Sequence, residues 1–270
     1  MTDRYAVIGN PIAHSKSPQI HRMFAEQTGQ DISYEAVLAP LDGFAATAGQ
    51  LRMEGYRGCN ITVPFKFEAF KLATECTGRA QAAQAVNTLR FDGKTISGDN
   101  TDGAGLVTDI QRNLHLPLQD KRVLVMGAGG AAHGVVLPLL DCGVHLTVAN
   151  RTASRAQQLA RAFSIQRGRI SGGGYEEIAD RSFDLIINAT SSGLSDELPP
   201  LPSTIFAPGA LAYEMLYGRE TPFMKFAREQ GAAIVSDGLG MLVEQAAEAF
   251  YIWRGVRPDA APVIAALRTQ

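Results

Sequence analysis

The sequence has few cysteines, and none of them belongs to a Cys-x-x-Cys pair. Cys59, Cys76 and Cys142 are too few and too scattered for a disulfide framework or a zinc site. No apolar run approaches the length that spans a membrane, and residues 1–5 lack the pattern of a signal peptide. These absences predict a cytoplasmic protein that binds no metal.

Excess charge of either sign is also missing. The 270 residues include 25 basic and 27 acidic side chains, for a net charge of −2, so no broad basic field is available for nucleic acid or for an anionic membrane. The hydrophobic fraction of 46% is typical of a globular protein, and the length suits two domains. We expect a small-molecule ligand and a monomer or homodimer.

The most informative segment that is present is an apolar strand that ends in glycines. Residues 123–126 are continuously apolar, which is typical of a strand buried on both faces. A glycine-rich turn and a helical pattern follow, and a second strand is predicted at 144–149. This is the context in which Gly-x-Gly-x-x-Ala binds a dinucleotide, with the pyrophosphate at the helix N-terminus, although a glycine turn without a ligand is the alternative. The turn residues assigned to the pyrophosphate are Gly127, Ala128, Gly129, Gly130 and Ala131.

The residues after the second predicted strand indicate which dinucleotide binds. An NAD site usually has an Asp or Glu about twenty residues beyond the turn, to accept hydrogen bonds from the ribose. Here the segment reads Asn150-Arg151-Thr152-Ala153-Ser154-Arg155 and has no acid. Two guanidiniums favour the 2′-phosphate of NADP, and they share one face if a helix begins at Thr152. An ordinary solvated helix start is the alternative.

Alternating strand and helix patterns predict an α/β protein with two domains. Residues 1–101 alternate without a second glycine fingerprint and are expected to form an N-terminal α/β substrate domain, on which the helical residues 238–270 pack back. Residues 102–237 are expected to form a Rossmann-like doubly wound NADP-binding domain, with a cleft between the two domains. Within it, the glycines at 172–174 predict a loop and the prolines at 199–208 predict a connector.

Polar side chains on loops of the first domain, and at the join between the domains, are the candidates for chemistry. Loops at the carboxyl ends of strands face the crevice in which α/β proteins bind ligands. Hydroxyl, amide, ammonium and carboxylate groups together suit a small polyhydroxylated acid, although each also occurs in turns and at helix starts for structural reasons. A Tyr-x-x-x-Lys pair is absent from the sequence. The candidates are Ser15, Ser17, Thr62, Lys66, Asn87 and Asp102.

Several segments together resemble the shikimate dehydrogenase family. The Ser-Lys-Ser-Pro at 15–18 and the Asn-Thr-Asp-Gly at 100–103 make the resemblance specific, whereas the glycine fingerprint alone is common to many dehydrogenases. The resemblance extends from residue 5 to about residue 265. The segments that carry it are residues 9–18, 60–66, 85–88, 98–103, 127–131, 150–152, 188–193 and 237–242.

The resemblance implies an NADP-dependent oxidoreductase that reduces 3-dehydroshikimate to shikimate, on the route to chorismate and the aromatic amino acids. It implies that Lys66 is the proton donor and acceptor and that Asp102 lies beside it. The implied substrate-binding residues are Ser15, Ser17, Thr62, Lys66, Asn87, Asp102, Tyr217 and Gln245. The implied cofactor-binding residues are Gly127 to Ala131 and, beyond them, Asn150, Arg151, Thr152, Arg155, Thr190, Met215, Gly238 and Met241.

Two other functions are compatible with the same scaffold. One is a quinate/shikimate dehydrogenase that prefers NAD, and the other is a non-catalytic module that senses NADP. The absence of an acid at 150–155 argues against the first, because an NAD-preferring protein should carry one there. The presence of both Lys66 and Asp102 argues against the second, because a sensor needs no proton-transfer pair.

Overall fold

The computed structural model describes residues 2–167, 169–190 and 197–269. The chain divides into two compact units, which we call unit 1 (Met1–Leu106 with Leu242–Gln270) and unit 2 (Val107–Met241). The domain boundaries expected from the sequence lie at 101/102 and 237/238. In the described ranges, no helix is both long enough and apolar enough to cross a membrane.

Unit 1 is built on a mixed six-stranded sheet whose strand order is β2-β1-β3-β5-β6-β4. Strand β1 runs parallel to β2 and β3, whereas β5 is antiparallel to both β3 and β6. The strands are β1 (Asp3–Gly9), β2 (Ile32–Leu38), β3 (Gly58–Ile61), β4 (Glu75–Cys76), β5 (Thr88–Asp92) and β6 (Thr95–Asp99). The helices are α1 (Ser17–Thr28), α2 (Phe44–Met53), α3 (Lys66–Leu72) and α4 (Gly78–Ala83), followed by α5 (Asp102–Thr108) where the chain leaves the unit.

Local sequence explains where these elements begin and end. Helix α1 has Pro18 in its first turn, where proline suits a helix, and ends at Gly29 in the left-handed conformation (φ 65°). Alternate residues of the strands point inward, so Ile8, Ile61 and Leu89 meet in one buried apolar cluster. This cluster is the core beneath the loops that carry the candidate substrate residues.

The C-terminal helices α9 (Leu239–Arg254) and α10 (Ala261–Arg268) complete unit 1. The indole of Trp253 on α9 stacks on the ring of Tyr5 with 4.5 Å between centroids, and its Nε1 donates a hydrogen bond of 3.0 Å to the carbonyl oxygen of Leu89. Helix α9 therefore packs on the N-terminal α/β part of the chain.

Unit 2 is a six-stranded, wholly parallel sheet in the order β12-β11-β10-β7-β8-β9. Read from β9, this is the 3-2-1-4-5-6 order of the doubly wound dinucleotide-binding fold, which confirms the predicted α/β class and Rossmann-like sheet. The strands are β7 (Arg122–Met126), β8 (His145–Ala149), β9 (Ile170–Gly173), β10 (Phe183–Asn188), β11 (Phe206–Glu214) and β12 (Ile234–Ser236). Between them lie a π-helical turn (Asp109–Asn113), α6 (Gly130–Asp141), α7 (Ala153–Arg167), a 3₁₀ turn (Tyr175–Ile178) and α8 (Pro222–Glu229).

Two expectations for unit 2 are wrong. The glycines predicted to form a loop lie largely in the edge strand β9. A Cβ at Gly172 would lie 2.2 Å from the carbonyl oxygen of Ala156 on α7, so this position of the strand needs glycine. Glycine there lets the helix pack closely on the strand, which is a tertiary requirement. The proline-rich connector is also shorter than predicted, since β11 already begins at Phe206 and pairs there with Phe183.

Candidate active site

The candidate substrate residues of unit 1 gather at one edge of its sheet. Strands β1 and β3 run in the same direction, so the loop that carries Ser15 and Ser17 and the loop that begins at Thr62 leave the sheet at the same edge. Strand β5 runs the opposite way, so Asn87 reaches this edge from the amino end of its strand. The hydrogen bond of 2.8 Å from Ile61 N to the carbonyl oxygen of Asn87 fixes that position. The position of Asn87, before β5, thus differs from the expectation that every candidate residue follows the carboxyl end of a strand.

Lys66 and Asp102 form an ion pair. The Nζ atom of Lys66 lies 2.5 Å from Oδ2 of Asp102, and the two side chains are 17% and 6% exposed. Each residue is the first of its helix, α3 and α5 respectively. Because Asp102 is nearly buried, the ion pair is poorly screened by water and holds the ammonium at a defined place.

The amide of Asn87 connects this ion pair to the rest of the cluster. Its Nδ2 lies 2.8 Å from Oδ1 of Asp102, 2.9 Å from Oγ1 of Thr101 and 3.2 Å from Oε1 of Gln245. Its Oδ1 accepts hydrogen bonds from Thr101 N at 2.9 Å and from Thr88 Oγ1 at 2.9 Å. Both carboxylate oxygens of Asp102 therefore have a fixed donor, and Asn87, Asp102, Lys66 and Gln245 lie together as the resemblance implies.

A second layer of polar groups lies behind Asn87, and the sequence did not single it out. Asn60 on β3 is buried; its Nδ2 donates to Thr88 Oγ1 at 3.1 Å and to the carbonyl oxygen of Asn87 at 3.2 Å. Its Oδ1 accepts a hydrogen bond of 2.7 Å from the hydroxyl of Tyr34. Asn60 is a polar residue in an otherwise apolar strand, and that position is the signal that could have identified it.

The other candidate substrate residues lie in the segments that follow strands. Ser17 is buried, and its backbone N donates to Ser15 Oγ at 3.3 Å. Thr62 is half-buried; its backbone N donates to the carbonyl oxygen of Ile8 at 3.0 Å. Tyr217 is half-buried and belongs to unit 2, in the segment after β11.

The glycine-rich turn of unit 2 has the form that a pyrophosphate requires. Gly127 follows β7 with a φ of 104°, a conformation that side chains disfavour. Helix α6 begins at Gly130, so the backbone N–H groups of Gly130 and Ala131, its first two residues, lie at the turn together with that of Ala128. A Cβ at Gly129 would meet no atom within 4 Å, so a ligand has room to approach the backbone. The turn therefore fits a dinucleotide phosphate.

The residues expected at the 2′-phosphate lie at the surface of unit 2. Asn150 directly follows β8; its Nδ2 donates to the carbonyl oxygen of Thr152 at 3.0 Å. Arg151 and Arg155 are both exposed, and neither forms an ion pair with another residue that the structure describes. Helix α7 begins at Ala153, so Arg151 precedes it and the two arginines do not share a helix face as expected. Two exposed guanidiniums near one turn still suit a phosphate dianion.

The remaining cofactor candidates follow successive parallel strands of unit 2. Thr190 follows β10, Met215 follows β11, and Gly238 and Met241 follow β12. The carboxyl ends of parallel strands share one edge, so these residues lie at the same edge as the glycine turn. Residues 191–193 of the segment that resembles the family lie outside the described residues.

The arrangement of possible metal ligands and of the cysteines can be stated for the described part of the chain. No group of three or more His, Cys, Asp or Glu side chains there is arranged to hold a metal ion. Cys59, Cys76 and Cys142 are free thiols, and burial raises the pKa of each.

Comparison with known proteins identifies the family. Residues 7–89 match the model of the shikimate dehydrogenase substrate binding domain, residues 109–195 that of shikimate / quinate 5-dehydrogenase, and residues 238–268 that of the shikimate 5′-dehydrogenase C-terminal domain. The chain is also 61% identical over 267 residues to the shikimate dehydrogenase (NADP(+)) of Methylobacillus flagellatus, covering 98% of this chain and 99% of that protein. The chain belongs to the shikimate dehydrogenase family.

Solved structures of this family and its neighbours share the fold over nearly the whole chain. An Ael1 enzyme from Pseudomonas putida superposes with a TM-score of 0.92 at 50% identity, covering 98% of both chains. A shikimate 5-dehydrogenase from Thermus thermophilus, solved in complex with NADP(H) and shikimate, superposes with a TM-score of 0.88 at 34% identity, covering 99% of both chains.

Proposed function

We propose that this chain is an NADP-dependent shikimate dehydrogenase, which reversibly reduces 3-dehydroshikimate to shikimate on the route to chorismate and the aromatic amino acids. The observation that carries the proposal is the Lys66–Asp102 ion pair of 2.5 Å, held by Asn87 in a cluster of amide and hydroxyl groups. The names of close relatives support the same activity. Unit 1 is the substrate domain in this proposal, and unit 2 binds NADP.

The reaction requires a proton at the oxygen that gains electrons. In the reductive direction, the Lys66 ammonium donates a proton to the carbonyl oxygen of the substrate. Asp102 orients the ammonium and stabilises its charge, and Asn87 holds the other oxygen of Asp102 in place. In the oxidative direction, the neutral amine of Lys66 takes the proton from the substrate hydroxyl.

The other unit 1 candidates fit the remaining groups of the substrate. Ser15 and Ser17 supply hydroxyls for its carboxylate. The assignment of Tyr217 to the same group stays a prediction that rests on the resemblance. Thr62, Asn87 and Gln245 supply hydroxyl and amide groups for the ring hydroxyls, which suits a polyhydroxylated acid because each hydroxyl both donates and accepts.

Unit 2 binds the cofactor, which supplies a hydride when bound. The turn from Gly127 to Ala131 holds the pyrophosphate, and Arg151 and Arg155 hold the 2′-phosphate with Asn150 and Thr152. Thr190, Met215, Gly238 and Met241 line the nicotinamide side. The open space at Gly129 and the exposure of both arginines are the observations that support this arrangement.

A spectrophotometric assay separates the three possible functions. Absorbance at the NAD(P)H band is followed with shikimate or quinate as substrate and NADP⁺ or NAD⁺ as oxidant. A shikimate dehydrogenase reduces NADP⁺ fastest with shikimate. Preference for NAD⁺, or comparable rates with quinate, would favour the quinate/shikimate enzyme, and binding of NADPH without turnover would favour the sensing module.

Two further expectations from the sequence stay predictions. These are the cytoplasmic location and the monomeric or homodimeric state. Light scattering of the purified chain measures the second directly.

A further inference from the structure

A buried carboxylate in unit 2 has no part in the chemistry described so far. Glu214 is the last residue of β11, and it is 0% exposed. Burial raises the pKa of its carboxyl, and the hydrogen bonds that it accepts oppose that shift. A buried carboxyl group is costly to keep, so its surroundings indicate what it does.

The carboxylate of Glu214 accepts hydrogen bonds from three different segments. Its Oε2 accepts from Asn188 Nδ2 and from Thr221 Oγ1, each at 2.8 Å, and its Oε1 accepts from Leu216 N at 3.1 Å. Asn188 ends β10, Leu216 follows β11, and Thr221 is the N-cap of α8. One side chain therefore ties together the ends of two neighbouring strands and the start of the next helix.

Two of these contacts, those with Asn188 and Leu216, lead to residues proposed to line the nicotinamide side. The Oδ1 atom of Asn188 accepts from both the backbone N of Thr190 (3.2 Å) and its hydroxyl (2.7 Å). The carbonyl oxygen of Asn188 accepts from Met215 N at 3.1 Å, and that of Leu216 accepts from Gly238 N at 2.9 Å. Glu214 thus acts on these residues through its neighbours.

We propose that Glu214 is a positioning residue, whose buried carboxylate fixes the segments after β10 and β11 in the arrangement that receives the nicotinamide half of NADP. This inference rests on the proposed function of unit 2 as the NADP-binding unit. The residues proposed to bind the 2′-phosphate follow β8 and take part in none of these hydrogen bonds. Binding of the two ends of the cofactor therefore depends on different parts of the chain.

The test is the substitution Glu214→Gln, which keeps the size of the side chain. Both carboxylate oxygens of Glu214 accept hydrogen bonds, whereas the amide of glutamine has one oxygen and one NH₂ group. In the variant, the NH₂ group therefore faces a hydrogen-bond donor that now faces an oxygen. Two ligands are titrated: NADPH, followed by its fluorescence, and 2′,5′-ADP, followed by calorimetry. The second ligand keeps the 2′-phosphate and lacks the nicotinamide.

We expect the dissociation constant of NADPH to rise about tenfold in Glu214→Gln, the effect of one lost hydrogen bond to a charged group, and that of 2′,5′-ADP to change less than about twofold. Glu220→Gln is the matched control, because Glu220 is exposed and ion-paired with Arg228 near the same segment. Should Glu214→Gln fail to fold, Thr221→Val removes one donor to the carboxylate and Thr221→Ser retains it, so the NADPH constant should rise only in the former.

Equal weakening of both ligands would overturn the proposal, because it would mean that Glu214 only stabilises the unit. An unchanged NADPH constant in both Glu214→Gln and Thr221→Val would overturn it as well. Wild-type protein that binds NADPH without oxidising shikimate would contradict the proposed activity and leave the positioning role standing, because both titrations measure binding.

Discussion

The two units hold their candidate ligand-binding groups in opposite ways. In unit 1, Lys66, Asp102 and Asn87 are held by side-chain hydrogen bonds between buried or half-buried groups. In unit 2, the proposed phosphate-binding groups are the backbone N–H groups of the turn at Gly127 and the exposed side chains of Arg151 and Arg155. The first site is preorganised by buried polar contacts, whereas the second relies on a helix N-terminus and on solvated charge.

This difference predicts how each site responds to substitution. A buried polar network loses both chemistry and stability when one member is removed, because its partners are left without hydrogen bonds. Exposed charges can be removed with little effect on folding, and their contribution to binding is screened by salt. The following substitutions test that contrast, from the largest expected effect to the smallest.

Removal of the Lys66 ammonium should have the largest effect. Lys66→Ala is expected to reduce turnover by about 10²–10⁴-fold, the usual contribution of a general acid–base group, while the affinity for shikimate changes much less. Steady-state kinetics and shikimate titration measure the two effects. Lys71→Ala, an exposed lysine on the same helix, is the control. Near-normal turnover in Lys66→Ala would assign the proton transfer to Asp102 or to a water molecule.

The double substitution Arg151→Ala, Arg155→Ala should selectively weaken NADPH. Each charge-assisted contact contributes about 1.5–3 kcal/mol, so together they correspond to roughly a hundredfold or more in affinity, reduced by salt. NADH lacks the 2′-phosphate, so its affinity should hardly change, and turnover should stay the same. Arg161→Ala, exposed on α7, serves as the control. Equal weakening of both cofactors would mean that the arginines serve the fold.

Tyr34→Phe should destabilise unit 1 more than it slows the enzyme. The substitution removes the donor to Oδ1 of buried Asn60, and an unsatisfied buried acceptor costs about 1–3 kcal/mol of unfolding free energy. Turnover should fall less than about tenfold, because Asn60 keeps its contacts with Thr88 and Asn87. Urea unfolding compares the variant with Tyr251→Phe at an exposed position. A loss of turnover without a loss of stability would place Tyr34 in the chemistry.

The smallest expected effect at neutral pH concerns His21, a wholly buried residue of α1 that stacks on Tyr34 with 4.1 Å between ring centroids. Burial lowers its pKa to about 3, and Asn60 opposes this shift without cancelling it. Between about pH 6.5 and pH 3, the unfolded chain therefore binds a proton at His21 that the folded chain does not. The free energy of unfolding decreases as the pH is lowered through this range, by up to ~1.4 kcal/mol per pH unit.

His21→Phe keeps a stacking ring and removes this titration. Its unfolding free energy, measured in urea between pH 7.5 and pH 4.5, should decline less steeply than that of the wild type. His145→Gln, at an exposed position of unit 2, should leave the decline unchanged. Parallel declines in wild type and His21→Phe would show that other groups cause the loss in acid.

The same contrast explains what could be predicted from the sequence. The proposed phosphate-binding groups occupy one short stretch, from Gly127 to Arg155. The strand, turn, helix and second strand of this region follow each other directly, so the local pattern is sufficient to predict these elements. The substrate cluster instead joins residues that are 36 apart (Lys66 and Asp102) and 158 apart (Asn87 and Gln245). No periodicity connects such positions, and only the resemblance to the family brought Gln245 into the candidate set.

The features that sequence reasoning missed are those decided by tertiary packing. The sequence predicts a loop at β9 because glycine is rare in strands, whereas the close approach of α7 at Ala156 requires glycine at position 172. Glu214 lies in an apolar strand without any motif, and its contacts come from Asn188 and Thr221 in other elements.

Because unit 1 is formed by two separate stretches of the chain, unit 2 is completed before unit 1 during synthesis. Unit 2 ends at Met241, so its whole parallel sheet has been synthesised before Gln245 and Trp253 are added. Those two residues supply a hydrogen bond at Asn87 and the indole that covers Tyr5. Because domains generally fold as units during synthesis, the nucleotide-binding unit can fold on the ribosome first. The substrate site, although most of it is encoded earlier, is completed last.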